Sequence, residues 1–223
     1  MSRLFDDASS QYLEHGAAVL TGVPITMACW FYSDTITVSQ DLMSIGDTSV
    51  ENQYFVLRAR GASAGDPIVA DTTSSAASDD CSTTTGYSTN TWHHACAVYA
   101  AINDRRVFLD GGSKATNATS ITPAGLAQTR IGTVAKLTGA FFMSGRIAEA
   151  AIWNAAFDDS EVALLSKGLS PLLMRPQALA AYWPLFGNDS PELDRWKNKF
   201  DVTLINGPTK AEHPRIYYPV GAL

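Results

Sequence analysis

Charge is sparse in this 223-residue sequence: 17% of its residues are charged, and its longest basic run is the pair Arg105-Arg106. A nucleic-acid binder is therefore excluded, since neutralising phosphates takes clustered cations, and 16 Lys and Arg against 22 Asp and Glu leave a net charge of −6. No window approaches the ~18 uninterrupted apolar residues a membrane helix needs. The N-terminal stretch from Met1 to Ser10 has no cationic start followed by an apolar run, so no secretory signal is seen and synthesis in the cytosol is expected. Cysteine is scarce and odd in number, which rules out a disulfide framework. Cys29 and Cys96 lie inside apolar runs and are read as buried free thiols. The sequons at Asn117 and Asn188 carry little weight without a secretory route. Glutamate is scarce too, with six in the chain: Glu14, Glu51, Glu149, Glu161, Glu192 and Glu212.

What is present is apolar sequence, 46% of the chain, enough for one folded domain without a metal or disulfide staple. Its period is two. In Ile25 to Tyr32, Ile25, Met27, Cys29 and Phe31 point one way while Thr26, Ala28, Trp30 and Tyr32 point the other, as in a central strand. Further runs at 42–45, 54–57, 68–70, 92–99, 106–109, 129–132, 146–153 and 180–186 are separated by Gly- and Asp-bearing turns. The Ser/Thr-rich stretch from Asp71 to Thr91 is read as an exposed hairpin or edge. One helix is marked by Asp158 as cap, Glu161 three residues on, and Gly168 as stop. Many short strands with little helix predict an all-β antiparallel sandwich or jelly roll. The residues after 168 form an extended C-terminal segment, 169–223, expected to pack on the sandwich or dock on a partner.

Four segments in order, 25–31, 92–99, 106–111 and 142–154 running into the helix, together with Leu4 to Asp7 and Gln11 to Leu13, resemble the concanavalin A-like lectin/glucanase superfamily. Within it they are most similar to the laminin G-like and pentraxin-like (LamG) branch. The resemblance implies a concanavalin A-like jelly roll. Fold alone does not set function.

Several residues are candidates by type. Trp30, Trp92 and Trp153 are taken as core, with Trp92 as the anchor of its strand and His94 at the core margin. His93 and His94 are adjacent, hence on opposite strand faces and unable to share a metal. A retaining glycosidase needs two carboxylates about 5 to 5.5 Å apart. The strand best placed for them, 146–153, carries Glu149 alone, and none of the six glutamates is expected to have a second acid two positions away. No Gly-x-Ser-x-Gly elbow occurs. The chain is read as a non-enzyme, with no catalytic, cofactor-binding or metal-ligating residue assigned. Calcium is the cofactor the resemblance makes possible; Asp6, Asp7, Asp47, Asp110 and Asn154 supply hard oxygens, but no compact motif groups them. Tyr54, Tyr87 and Tyr182 are candidates for stacking on a sugar.

The stretch from Leu169 to Leu185 is similar to the ending of laminin G-like proteins of tailed bacteriophages. That resemblance implies a virion structural protein: a capsid decoration, cement or head-spike protein made in the bacterial cytoplasm, bound to the major capsid protein or another virion protein, with a homotrimer expected. A glycan-binding adhesin or lectin is the alternative, and a glycoside hydrolase assembled from acids on separate strands, Glu149 foremost, is the third reading.

Overall fold

The computed structural model describes residues 1–187 and 190–219; the sequon at Asn188 lies outside the described residues. In chain order the strands are β1 (Ser2–Phe5), β2 (Tyr12–His15), β3 (Ile25–Ser33), β4 (Ser39–Gly46), β5 (Tyr54–Arg60), β6 (Pro67–Thr73), β7 (Ser78–Gly86), β8 (Trp92–Ala101), β9 (Asp104–Leu109) and β10 (Gly112–Asn117). They continue with β11 (Gln128–Ile131), β12 (Gly145–Trp153), β13 (Leu179–Trp183), β14 (Thr203–Ile205) and β15 (Thr209–Ala211), with helix α1 (Asp159–Ser166) between β12 and β13. The eight-stranded sheet runs β10-β9-β8-β3-β12-β1-β15, with β13 also paired to β12; the seven-stranded sheet runs β14-β2-β11-β4-β5-β6-β7. The pairings between these strands are antiparallel.

The period-two runs explain the sandwich. Ile25, Met27, Cys29 and Phe31 of β3 enter the core between the sheets beside Leu57 of β5 and Tyr99 of β8. Each such side chain contributes about 1.5 to 3 kcal/mol by leaving water. The opposite side of the eight-stranded sheet carries a second apolar cluster of Ala28, Cys96, Val98, Phe108, Ala151 and Trp153. Helix α1 covers it with Val162 and Leu165, and the segment after the helix adds Met174 and Leu179. The helix starts as its sequence requires: Asp158 Oδ1 accepts from Glu161 N at 3.0 Å, and Asp158 N donates to Glu161 Oε2 at 2.9 Å. It stops at Gly168, whose φ of +87° suits glycine.

The expectation for the tryptophans needs correcting. Trp153 is buried, but in the second cluster, while Trp30 and Trp92 are half-buried on the outer face. On β8 it is Ala95, Ala97 and Tyr99 that face the main core, so Trp92 does not anchor it. Both faces of these strands are apolar, and alternation alone does not say which one points inward.

The chain after residue 168 joins both sheets. β13 lengthens the edge shared by β12 and β1, β14 pairs with β2, and β15 pairs with β1. The loop before β14 is built on Asp194, whose fully buried carboxylate accepts the backbone N–H groups of Tyr182 and Trp196 at 3.0 Å each, and of Lys199 and Phe200 at 3.3 and 3.4 Å. The tail returns to the outer face of the eight-stranded sheet, where Tyr217 bridges Leu169.

Candidate functional site

Along β5, Phe55, Leu57 and Ala59 enter the core, so Tyr54, Val56, Arg58 and Arg60 face outward. Register carries this outer face across the sheet: Val56, Asp71 and Asp80 are direct neighbours, as are Arg58, Val69 and Ser82. The result is a charged network on an otherwise charge-poor molecule. Arg58 Nε donates to Asp41 Oδ1 at 2.5 Å and Nη2 to Oδ2 at 3.3 Å, while Nη1 reaches Asp71 Oδ2 at 3.5 Å. Arg60 grips Asp80 with both terminal nitrogens at 3.2 Å, and Ser82 Oγ adds a bond to Asp80 at 3.0 Å.

Burial pushes the Asp41 carboxyl up to about 6 against the pull of Arg58, and raises Asp71 for the same reason. Arg58 loses water too, yet the two carboxylates beside it hold it more firmly cationic than a free guanidinium. The asymmetry is physical: one cation serves two anions, so each anion receives only a share of compensation for its desolvation.

The loop from 132 to 144 crosses this face. Ser44 Oγ of β4 donates to Thr133 O and accepts from Ala135 N, both at 2.8 Å, and a Cβ at Gly46 would meet Ala135 O at 1.9 Å, so only glycine permits the approach. At its far end Phe141 lies with its ring 4.4 Å from the Arg58 guanidinium carbon and remains 44% exposed. Its φ is +54°, a strained value for an aromatic residue, and its carbonyl accepts from Asp41 N at 2.7 Å. Phe141 also walls a cleft of about 410 Å³, with Phe142, Thr37, Val38, Ser39 and Asp7. An exposed ring fixed between a buried ion network and a cleft of this size offers stacking surface, hydroxyls and a carboxylate to a small polar ligand.

The residues singled out from sequence are placed elsewhere. Asp6 accepts from Ala8 N and Ser9 Oγ, and Asp47 from Ser49, so both close their own turns. Asn154 follows β12 at the end opposite Asp6 and Asp7, nine strand residues or roughly 30 Å away. Among the described residues no three His, Cys, Asp or Glu side chains converge to hold a metal, and the five oxygen donors do not fit a single calcium site. Tyr54 is half-buried on the outer face, but Tyr87 packs on Phe31 inside the core and Tyr182 is buried, so neither of these two can stack on a sugar.

Glu149 sits in a bulge of β12 at φ +56° and is 2% exposed. Tyr182 and Tyr218 donate to its two oxygens at 2.7 and 2.6 Å, and His213 Nε2 lies 3.2 Å away. Burial and the adjacent carboxylate keep both phenols protonated. Glu149 therefore anchors the tail and has no opening to substrate. Two glutamates do have an acid two positions away, contrary to expectation. Asp159 and Glu161 belong to α1 and bind Lys114 and Arg175; Glu192 and Asp194 hold Arg3 and the loop amides. The pair sequence reasoning missed is Asp71 and Asp80, opposed across the β6–β7 hairpin, where side chains stand about 5 Å apart. Centring the Ser/Thr-rich hairpin on residues 75 and 76 would have found it.

Ser88, His93 and Asp110 form a Ser-His-Asp arrangement: Ser88 Oγ is 3.0 Å from His93 Nε2, and His93 Nδ1 is 2.7 Å from Asp110 Oδ2. Ser88 N also donates to that Nε2 at 3.1 Å, so the lone pair a general base requires is already occupied. The arrangement ties the loop after β7 to the β9–β10 turn. His94 points the other way, edge-on to Trp30, so the two histidines occupy opposite faces.

Residues 7–163 match the family profile of the concanavalin A-like lectin/glucanases superfamily. Among solved structures, a Bacteroides ovatus protein assigned provisionally to carbohydrate binding superposes with a TM-score of 0.67 at 18% identity, over 96% of this chain and 61% of its own. The CBM40 domain of the Ruminococcus gnavus IT-sialidase gives 0.56 at 13% identity, covering 66% of this chain and 84% of that one. The heptameric SAP-like pentraxin of Limulus polyphemus gives 0.52 at 12%, covering 70% and 75%. No curated protein matches the sequence.

Proposed function

Because this chain belongs to the concanavalin A-like lectin/glucanases superfamily, we propose that it is a non-catalytic, lectin-like module that binds a glycan at the Phe141 cleft and the adjoining charged face. The observation that carries the reading is Phe141 itself, an exposed aromatic ring held in a strained conformation over Arg58 at the mouth of a cleft. The carbohydrate-binding descriptions of the Bacteroides and Ruminococcus proteins support it. Against catalysis, Asp41 and Asp71 share Arg58 and Asp80 is held by Arg60, so neither member of the Asp71–Asp80 pair is free to act as an acid or a nucleophile. The test is a glycan array read with and without calcium. Binding that Phe141→Ala weakens by about tenfold or more, with the melting temperature unchanged, is expected; uniformly negative arrays would remove the reading. Sugar release abolished by Asp80→Asn would replace it with the hydrolase.

A second reading places this module on a phage particle as a decoration, cement or spike protein, made in the host cytoplasm and assembled as a homotrimer. The similarity of residues 169–185 to the ending of phage laminin G-like proteins supports it. Solution mass and imaging of particles lacking the protein test it. A monomer that never co-purifies with particles would end it.

A further inference from the structure

The outer face of the eight-stranded sheet is only partly covered. Helix α1 and the segment after it close over the rows bearing Ala28, Cys96, Val98 and Trp153. Toward the other end of the same face, register aligns Leu4 of β1, Arg146 of β12, Tyr32 of β3 and Trp92 of β8 in one outward row. All four are half-buried, and none belongs to either core cluster. Across four strands at ~4.8 Å spacing the row is about 14 Å long.

Its chemistry is specific. The Arg146 guanidinium carbon lies 4.4 Å from the centroid of the Tyr32 ring, and Tyr32 meets Trp92 edge-on at 5.8 Å. Among the described residues Arg146 has no hydrogen-bond acceptor: its Nε is buried without a partner, and its nearest carboxylate, on Glu212, is 3.7 Å away and 90% exposed. A guanidinium stacked on a ring, with its Nε unpaired and only a loose ion pair to an exposed carboxylate, is a preformed seat for a ligand carboxylate, which it takes in a two-bond fork.

We propose that this row is a second ligand site, on the face opposite the Phe141 cleft, for a carbohydrate carrying a carboxylate. The aromatic rings take the C–H face of a sugar, and Arg146 takes the acid group. A neutral sugar would leave the cation unsatisfied, and an apolar partner would bury it unpaired. A protein partner would need some 800 Å² of surface, far more than this row offers. With a net charge of −6 the molecule exerts no long-range pull on polyanions, so recognition is short-range and suits an oligosaccharide.

The experiment titrates the full chain with trigalacturonate and with its carboxyl-reduced counterpart, following tryptophan fluorescence, for the wild type, Arg146→Gln, Arg146→Lys and Phe141→Ala, each checked for an unchanged melting temperature. The acid should bind at least tenfold more tightly than the reduced sugar. Arg146→Gln should erase that preference, Arg146→Lys should keep part of it, and Phe141→Ala should leave it intact. Equal binding of the two sugars, an acid preference that survives Arg146→Gln, or no binding of trigalacturonate up to ~10 mM would each overturn the proposal. Loss of acid binding in Phe141→Ala alone would move the ligand to the cleft, refuting this site while sparing the other.

Discussion

His94 shows how a single side chain sets the molecule's response to acid. It is packed edge-on against Trp30, 2% exposed, with its Nδ1 unpartnered, and burial lowers its pKa to about 4, only partly countered by Asp110. In the unfolded chain the same imidazole titrates near ~6.5. Between these values the unfolded state binds the extra proton, so stability is fully present above about 6.5 and is lost as pH falls toward about 4, by an amount on the order of 3 kcal/mol. Asp41 acts with the opposite sign, its raised pKa weakening the fold as pH rises through about 6. Thermal melts from pH 7 to 4 should therefore fall less steeply in His94→Gln than in the wild type; parallel curves would refute the assignment. Asp194 is the larger structural dependency. Asp194→Ala strands four backbone donors and should cost about 3 kcal/mol or more, read from denaturant midpoints.

At the scale of elements, α1 is short and is held by its ends and by the cluster beneath it. Asp158→Ala removes the cap and should cost about 1 kcal/mol, with the circular dichroism of the sheets retained. The start of β12 is far less tolerant. Gly145 has φ +123°, and a Cβ there would meet Tyr32 O at 2.1 Å. Gly145→Ala should therefore prevent pairing of β12 with β3 and lower the yield of folded protein sharply. The β6–β7 hairpin puts Asp71, Asp80 and Arg60 within reach of one another by register alone, which makes an exposed edge strand polar and a poor template for edge-to-edge association.

At the scale of the molecule, the two ends of the chain close the sandwich together: β15 lies beside β1 in one sheet, and β14 beside β2 in the other. A chain ending at residue 168 would lose β13, β14 and β15 and uncover Trp153, so it should give no dispersed amide spectrum. A well-folded 1–168 fragment would show instead that the C-terminal segment is an accessory.

Period-two apolarity, the Asp158 box and the order of the strand segments were enough to read an all-β sandwich with one short helix, because hydrophobic alternation and helix capping are local properties. The Asp71–Asp80 pairing was almost legible, needing only the centre of one hairpin. What local pattern did not determine was direction: β3, β8 and β12 are apolar on both faces, so only packing shows that Trp30 and Trp92 face outward, Tyr87 faces the main core, and Tyr182 is buried on the outer side in the second cluster. Nor could it bring Asp41 to Arg58, Phe141 over both, or Tyr218 to Glu149, contacts between residues 17 to 100 positions apart whose energy exists only once long loops are closed. The sequence by itself determined the sandwich, since each strand carries its own burial pattern. The tertiary structure alone decided the two faces and what each can hold, since a face is assembled from neighbours that the chain does not place side by side.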